Sequence, residues 1–141
     1  MKRTALAALV LLGACAVNDA NSGNSDGASS PLGVLAGSEW VMLNEARSAT
    51  PPTIAFALAE DRAAGYAGCN RWFATASASD QAIDFGDVGT TRMMCSPPSM
   101  EAERAFVTTL NDTRGYRIEN GELVLYDIGG ADLARFRRTN P

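Results

Sequence analysis

Three hydropathy regimes follow one another along the chain. Residues 5–12 are an unbroken apolar run, preceded by Lys2 and Arg3. Residues 16–35 read AVNDANSGNSDGASSPLGVL, mostly Asn, Ser, Gly and Asp, with no apolar period. Such a stretch has too little hydrophobic material to offset the entropy of ordering, so residues 15–36 are expected to form a flexible linker. From Gly37 to about Thr139 the pattern turns into short alternating segments, enough for one small domain with a single core. Residues 39–43 open it with aromatic and branched side chains, and Pro51-Pro52 breaks the chain before residues 53–58, where Ile54, Phe56 and Leu58 alternate with small residues. Glu60-Asp61-Arg62 reads as a turn leading into residues 64–76. Further strands are expected at residues 82–85, 88–93, 115–119, 123–127 and 131–138. Asn120-Gly121 between two apolar runs is a strong hairpin signal, because a type I′ turn needs positive φ at both central residues. Gly129-Gly130 marks a second tight turn.

One helix interrupts the strands. Residues 100–111 follow Pro97-Pro98-Ser99, contain no Gly or Pro, and place Glu101 and Glu103 in the expected first turn. At 100° per residue, Met100, Glu103, Phe106, Val107 and Leu110 share a face, with Glu103 near its middle. The expected fold class is α+β, a small antiparallel β-rich domain with one packed α-helix.

The N-terminus indicates the compartment. Leu12-Gly13-Ala14-Cys15 closes the apolar run, which is far shorter than the roughly 20 residues of a spanning helix. A basic start, a short apolar stretch and small residues before a cut are the parts of a secretory signal peptide. With the cysteine at the cut, the segment resembles the lipobox of bacterial lipoproteins. That resemblance implies a signal peptide over residues 1–14, acyl chains on Cys15 as the first mature residue, and a membrane partner reached through a lipid anchor. Several acyl chains hold firmly where one does not. Ala16 stands where an aspartate would retain such a protein in the inner membrane, which favours the outer membrane, facing the periplasm.

Charge and composition narrow the chemistry. Beyond residue 14 the chain carries ten arginines and no lysine against sixteen acidic residues, a side-chain balance of minus six. Arg135, Arg137 and Arg138 are its largest basic cluster, so a nucleic-acid partner is not expected. The chain has no histidine. That removes His-based triads, histidine metal sites and the commonest general acid/base at neutral pH. No catalytic residue, metal or cofactor is expected, and the protein reads as a non-enzyme. Once Cys15 is assigned, Cys69 and Cys95 remain, and an even pair in an exported protein reads as a disulfide; a reactive thiol or a metal site is the alternative.

A family resemblance rests on five ordered elements. Trp40-Val41-Met42-Leu43 forms an opening strand, and Gly65-Tyr66-Ala67-Gly68-Cys69-Asn70-Arg71-Trp72-Phe73 carries a G-x-x-G-C-N core. Thr90-Thr91-Arg92-Met93-Met94-Cys95 ends in T-x-M-x-C, Met100-Glu101-Ala102-Glu103 reads M-x-x-E, and Leu123-Val124-Leu125 is a late L-x-L strand. Together they resemble the META domain family, whose bacterial members include the HslJ-like envelope lipoproteins, over residues 37–139. The resemblance implies a β-rich incomplete barrel with one helix packed into it, and an association with heat shock and novobiocin tolerance. It implies no defined activity.

The signature residues also have plain structural readings. Gly65 and Gly68 suit a bulge or a close backbone approach, and Asn70 suits bonds to backbone groups. Thr91 belongs to the same motif. Trp40, Trp72 and Phe73 read as core. Asp84 and Asp87 flank Gly86 as a solvated turn would, with a metal pair as the alternative. Glu103 on an apolar face is either satisfied by buried donors or poised for proton chemistry. Three functions are consistent with this reading. The first is a non-enzymatic envelope lipoprotein that supports stress tolerance or binds a lipid or peptide ligand, with any protein partner unknown. The second is a periplasmic inhibitor of a hydrolase such as lysozyme, presenting Arg71 or Arg92. The third is an enzyme built on Glu103, Asp84 and Asp87.

Overall fold

The computed structural model describes residues 32–141. The expected signal peptide, Cys15 and the linker up to residue 31 lie outside the described residues. Nine strands and one helix follow in order: β1 (Glu39–Met42), β2 (Thr53–Phe56), β3 (Arg62–Tyr66), β4 (Arg71–Ser79), β5 (Ala82–Phe85), β6 (Gly89–Thr90), α1 (Pro97–Asp112), β7 (Gly115–Glu119), β8 (Glu122–Tyr126) and β9 (Asp132–Arg138). Every strand pairing is antiparallel. The order across the sheet is β3-β2-β1-β9-β8-β7-β5-β4-β6, and an added β3–β4 pairing joins the two ends into a ring, with β6 left as a short terminal strand on β4. The fold is therefore α+β, a nine-stranded antiparallel sheet with one helix.

The ring is held unevenly. β3 and β4 share five residue pairs, as do β7 and β8, whereas β5 meets β7 only at Ala82–Gly115. Two backbone bonds reinforce that seam, Ile83 N–H to Arg114 O and Tyr116 N–H to Gln81 O. Asn120 (φ 52°) and Gly121 (φ 81°) form the expected turn between β7 and β8. The core runs through a chain of aromatic rings: Phe56 on Phe85 at 6.2 Å, Phe85 on Trp72 at 6.0 Å, Trp72 on Phe106 at 5.7 Å, and Phe106 on Phe136 at 6.4 Å. Phe106 belongs to α1, so the helix is joined to both walls of the sheet through one side chain.

Four expectations need correction. The folded unit begins before Gly37: Leu32 and Leu35 are fully buried in the main core, Leu32 just before a 3-10 turn at Gly33–Leu35 and Leu35 at its end. Their i, i+3 spacing turns both inward although the surrounding sequence is polar. The helix starts at Pro97, so Glu101 and Glu103 fall beyond its first turn and the dipole argument for them lapses. Its buried face is Ala102, Phe106 and Leu110 at i, i+4 spacing, with Glu103 half-buried at the margin. Strand β6 keeps only Gly89–Thr90 of the expected residues 88–93: Thr91 N–H still bonds to Arg71 O, but Met93 N–H turns to the Asn70 side chain instead of continuing the ladder.

Candidate functional site

The signature residues meet at the turn between β3 and β4. Gly68 has φ +107°, a backbone region that favours glycine, and a Cβ there would lie 3.0 Å from the Ala102 Cβ of α1. Two small residues thus let the helix approach the turn. That approach brings Glu103 over the next residue but one: Asn70 N–H donates to Glu103 Oε2 at 2.6 Å. The Gly68 carbonyl accepts from the Tyr66 hydroxyl at 2.8 Å and from the Ser48 hydroxyl at 2.9 Å, so the β1–β2 loop is fastened to the same turn.

Asn70 is buried, and its amide stands in for a missing ladder partner. Oδ1 accepts from Met93 N–H at 2.6 Å and from the Thr91 hydroxyl at 3.0 Å, while Nδ2 donates to Met93 O at 3.2 Å. One side chain therefore satisfies both backbone groups of Met93, as a paired strand residue would. Arg71 N–H donates to Thr91 Oγ1 at 3.2 Å and Thr91 N–H to Arg71 O at 3.0 Å. Cys69 and Cys95 form a disulfide with their Cα atoms 5.9 Å apart. The result is a latch joining the β3–β4 turn, residues 91–95 and the start of α1. Within it Glu103, Asn70 and Thr91 spend their polar groups on structure.

Other candidate residues are dispersed. Trp40 and Trp72 are core, but Phe73 is 55 % exposed, contrary to the core reading. On β4, Trp72, Ala74 and Ala76 point inward, and the strand period puts Phe73 outside. Gly65 is the close approach expected of it: a Cβ there would meet Thr53 O at 2.1 Å. Asp84 and Asp87 are exposed, and among the described residues no group of three or more His, Cys, Asp or Glu is placed to hold a metal. Arg71 and Arg92 are exposed.

Two features escaped the sequence reading. An ion-pair cluster covers β7–β9: Arg117 pairs with Glu119 at 2.6 Å and Asp132 at 2.8 Å, and Arg135 reaches Glu119, Asp132 and Glu122. The Arg117 hydrogen bonds hold the Glu119 and Asp132 carboxyls below their ordinary range, assisted by Arg135. The second feature is a groove between α1 and the strand before it. One part, about 390 Å³, is lined by Val88, Thr90, Glu103, Arg104, Val107 and Thr108; the adjoining part, about 310 Å³, shares Thr90 and Glu103 and adds Arg92, Met93, Met94 and Met100. Since Thr91 N–H is turned to β4, alternation turns the Thr90 N–H and C=O the other way, toward this groove. A larger cleft of about 510 Å³ lies on the far side of β4, around Asp61, Arg62, Phe73 and Asp87.

Comparison with known proteins gives a family and a fold. A family model described as META domain matches residues 34–140. A solved structure from Burkholderia xenovorans is 24 % identical with a TM-score of 0.61, over 76 % of this chain and 85 % of that one. A DUF4847 family protein from Bacteroides vulgatus ATCC 8482 is 15 % identical with a TM-score of 0.56, over 77 % of this chain and 96 % of the other. These likenesses concern the fold alone. No curated protein matches the chain.

Proposed function

The chain belongs to the META domain family, and from that premise we propose that it is a non-enzymatic, lipid-anchored envelope protein whose groove beside α1 binds an extended peptide. The observation that carries this reading is the free edge of β6, the terminal strand of the ladder, which faces a groove with apolar walls at Val88 and Val107. An added strand bonds to such an edge through main-chain groups and places alternate side chains into neighbouring pockets. A lipid ligand inside the ring fits less well. The interior is filled by Leu32, Leu35, Trp72, Phe106 and Phe136, all essentially fully buried. Non-enzymatic action is supported by the absence of histidine and by the use of Glu103 and Asn70 in the latch. The lipobox resemblance at Cys15 supports the anchor, with an outer-membrane location facing the periplasm, and stress tolerance would be the outcome of that binding.

Screening random-sequence peptides against the intact protein tests the groove. Thr90→Pro removes the outward N–H without touching the β4 bonds, so selected peptides should bind it at least about tenfold more weakly. Equal binding to both proteins would refute the groove reading. The exposed Arg92 on a disulfide-anchored segment favours a second reading, inhibition of a hydrolase with an acidic cleft. Arg92→Ala abolishing inhibition of a lysozyme, with Thr90→Pro still active, would support that reading instead.

A further inference from the structure

Met93 and Met94 are 61 % and 88 % exposed, although each carries a long apolar side chain. Both line the groove with Met100, which is half-buried. Their segment is fixed by bonds that involve no thioether. Asn70 holds the Met93 N–H and C=O and the Thr91 hydroxyl, and Cys95 is tied to Cys69. Those two cysteines are already oxidised to the disulfide, so they do not compete for an oxidant.

We propose that Met93 and Met94 are a reversible oxidation site, at which peroxides convert thioethers to sulfoxides and change one wall of the groove from apolar to polar while the fold stays intact. In the forward step the sulfur lone pair attacks one oxygen of the peroxide. The S–O bond forms as the O–O bond breaks, and the departing hydroxide takes the proton of the hydroxyl now on sulfur, leaving as water and a neutral sulfoxide. Methionine loses two electrons and the peroxide gains them. The return step is a two-electron reduction by a dithiol, which becomes a disulfide as the sulfoxide oxygen leaves as water; methionine sulfoxide reductases catalyse it. Exposure sets which sulfurs react. Met42 and Met100 are half-buried and serve as internal references. Because the segment is clamped through its backbone, an added S–O dipole displaces no packed side chain. Oxidation in a core would disrupt it. Exposure and clamping at Met93 and Met94 are the same whether or not the groove binds peptides.

Hydrogen peroxide added to the intact protein, followed by peptide mapping, tests this. Met93 and Met94 should each gain about 16 Da, at rates at least about tenfold those of Met42 and Met100. The doubly oxidised protein should melt within about 2 °C of the untreated one, and a sulfoxide reductase supplied with a dithiol should restore the original mass. Met93→Leu with Met94→Leu conserves volume and should lose the fast phase of oxygen uptake. Uniform oxidation of Met42, Met93, Met94 and Met100, unfolding on oxidation, a fast phase retained in the double variant, or sulfoxides that resist the reductase would each overturn the proposal.

Discussion

Glu103 ties α1 to the β3–β4 turn through a single carboxylate oxygen. On the helical wheel it falls among apolar residues, which suggests a buried acid. In the structure it stands at the margin of the buried face, half-exposed, with one oxygen on Asn70 N–H. Replacing it with Ala leaves that N–H unpaired and should cost about 1–3 kcal/mol. Glu103→Gln keeps an acceptor at the same place and should cost less. Glu101 is exposed and should tolerate Ala within about 0.5 kcal/mol. Chemical denaturation of the three variants checks the order, and equal losses for Glu103→Ala and Glu101→Ala would contradict the latch geometry. Gly68→Ala should destabilise for two reasons at once, the left-handed backbone and the crowding against Ala102. The partners of Asn70 were not readable from sequence. A side-chain amide reaching a backbone 23 residues away leaves no local periodic trace. By contrast, the outward position of Phe73 was readable, since the strand period that buries Trp72, Ala74 and Ala76 excludes it.

At the scale of elements, alternation and turn chemistry carried most of the information. β5 and β7 fall where the pattern puts them, and Asn120-Gly121 makes its hairpin. The helix begins three residues before the point its apolar period suggests, because Pro97-Pro98 forms the opening turn itself. β6 is shorter than alternation suggests, since residues 91–94 look like strand yet the Met93 N–H and C=O bond to the Asn70 side chain. The ion-pair face of β7–β9 was invisible because it depends on cross-strand register, Arg117 beside Val124 and Val124 beside Arg135. This face gives a pH prediction. Glu119 and Asp132 have carboxyls held below the usual range, chiefly by Arg117 and then by Arg135. Their contribution is therefore complete above the ordinary carboxylate pKa, about 4, and is lost as pH falls through the lowered values. Arg117→Leu should flatten the decline in stability below about pH 4 relative to the parent protein. Parallel declines in the two proteins would show that the cluster adds nothing.

At the scale of the whole molecule, three closures act together: the β3–β4 pairing that completes the ring, the Leu32 and Leu35 plug, and the latch with its disulfide. The disulfide links residues separated by 26 positions in the chain, for which the chain-entropy model gives about 3–4 kcal/mol. Thiol titration of the folded protein without reductant should find neither Cys69 nor Cys95, and two titratable thiols would contradict the bond. Cys15 is expected to carry the anchor, so Cys15→Ser should leave the protein unlipidated, and palmitate label entering that variant would refute the lipobox reading. Asn70 is a structural latch, the piece that keeps the turn, residues 91–95 and α1 in one cooperative unit. Equilibrium unfolding of Asn70→Ala, with the disulfide intact, tests it most directly. The variant should lose about 2–4 kcal/mol, because the Met93 backbone and the Thr91 hydroxyl lose their partners together. Stability within about 0.5 kcal/mol of the parent, with loss of ligand binding alone, would contradict it.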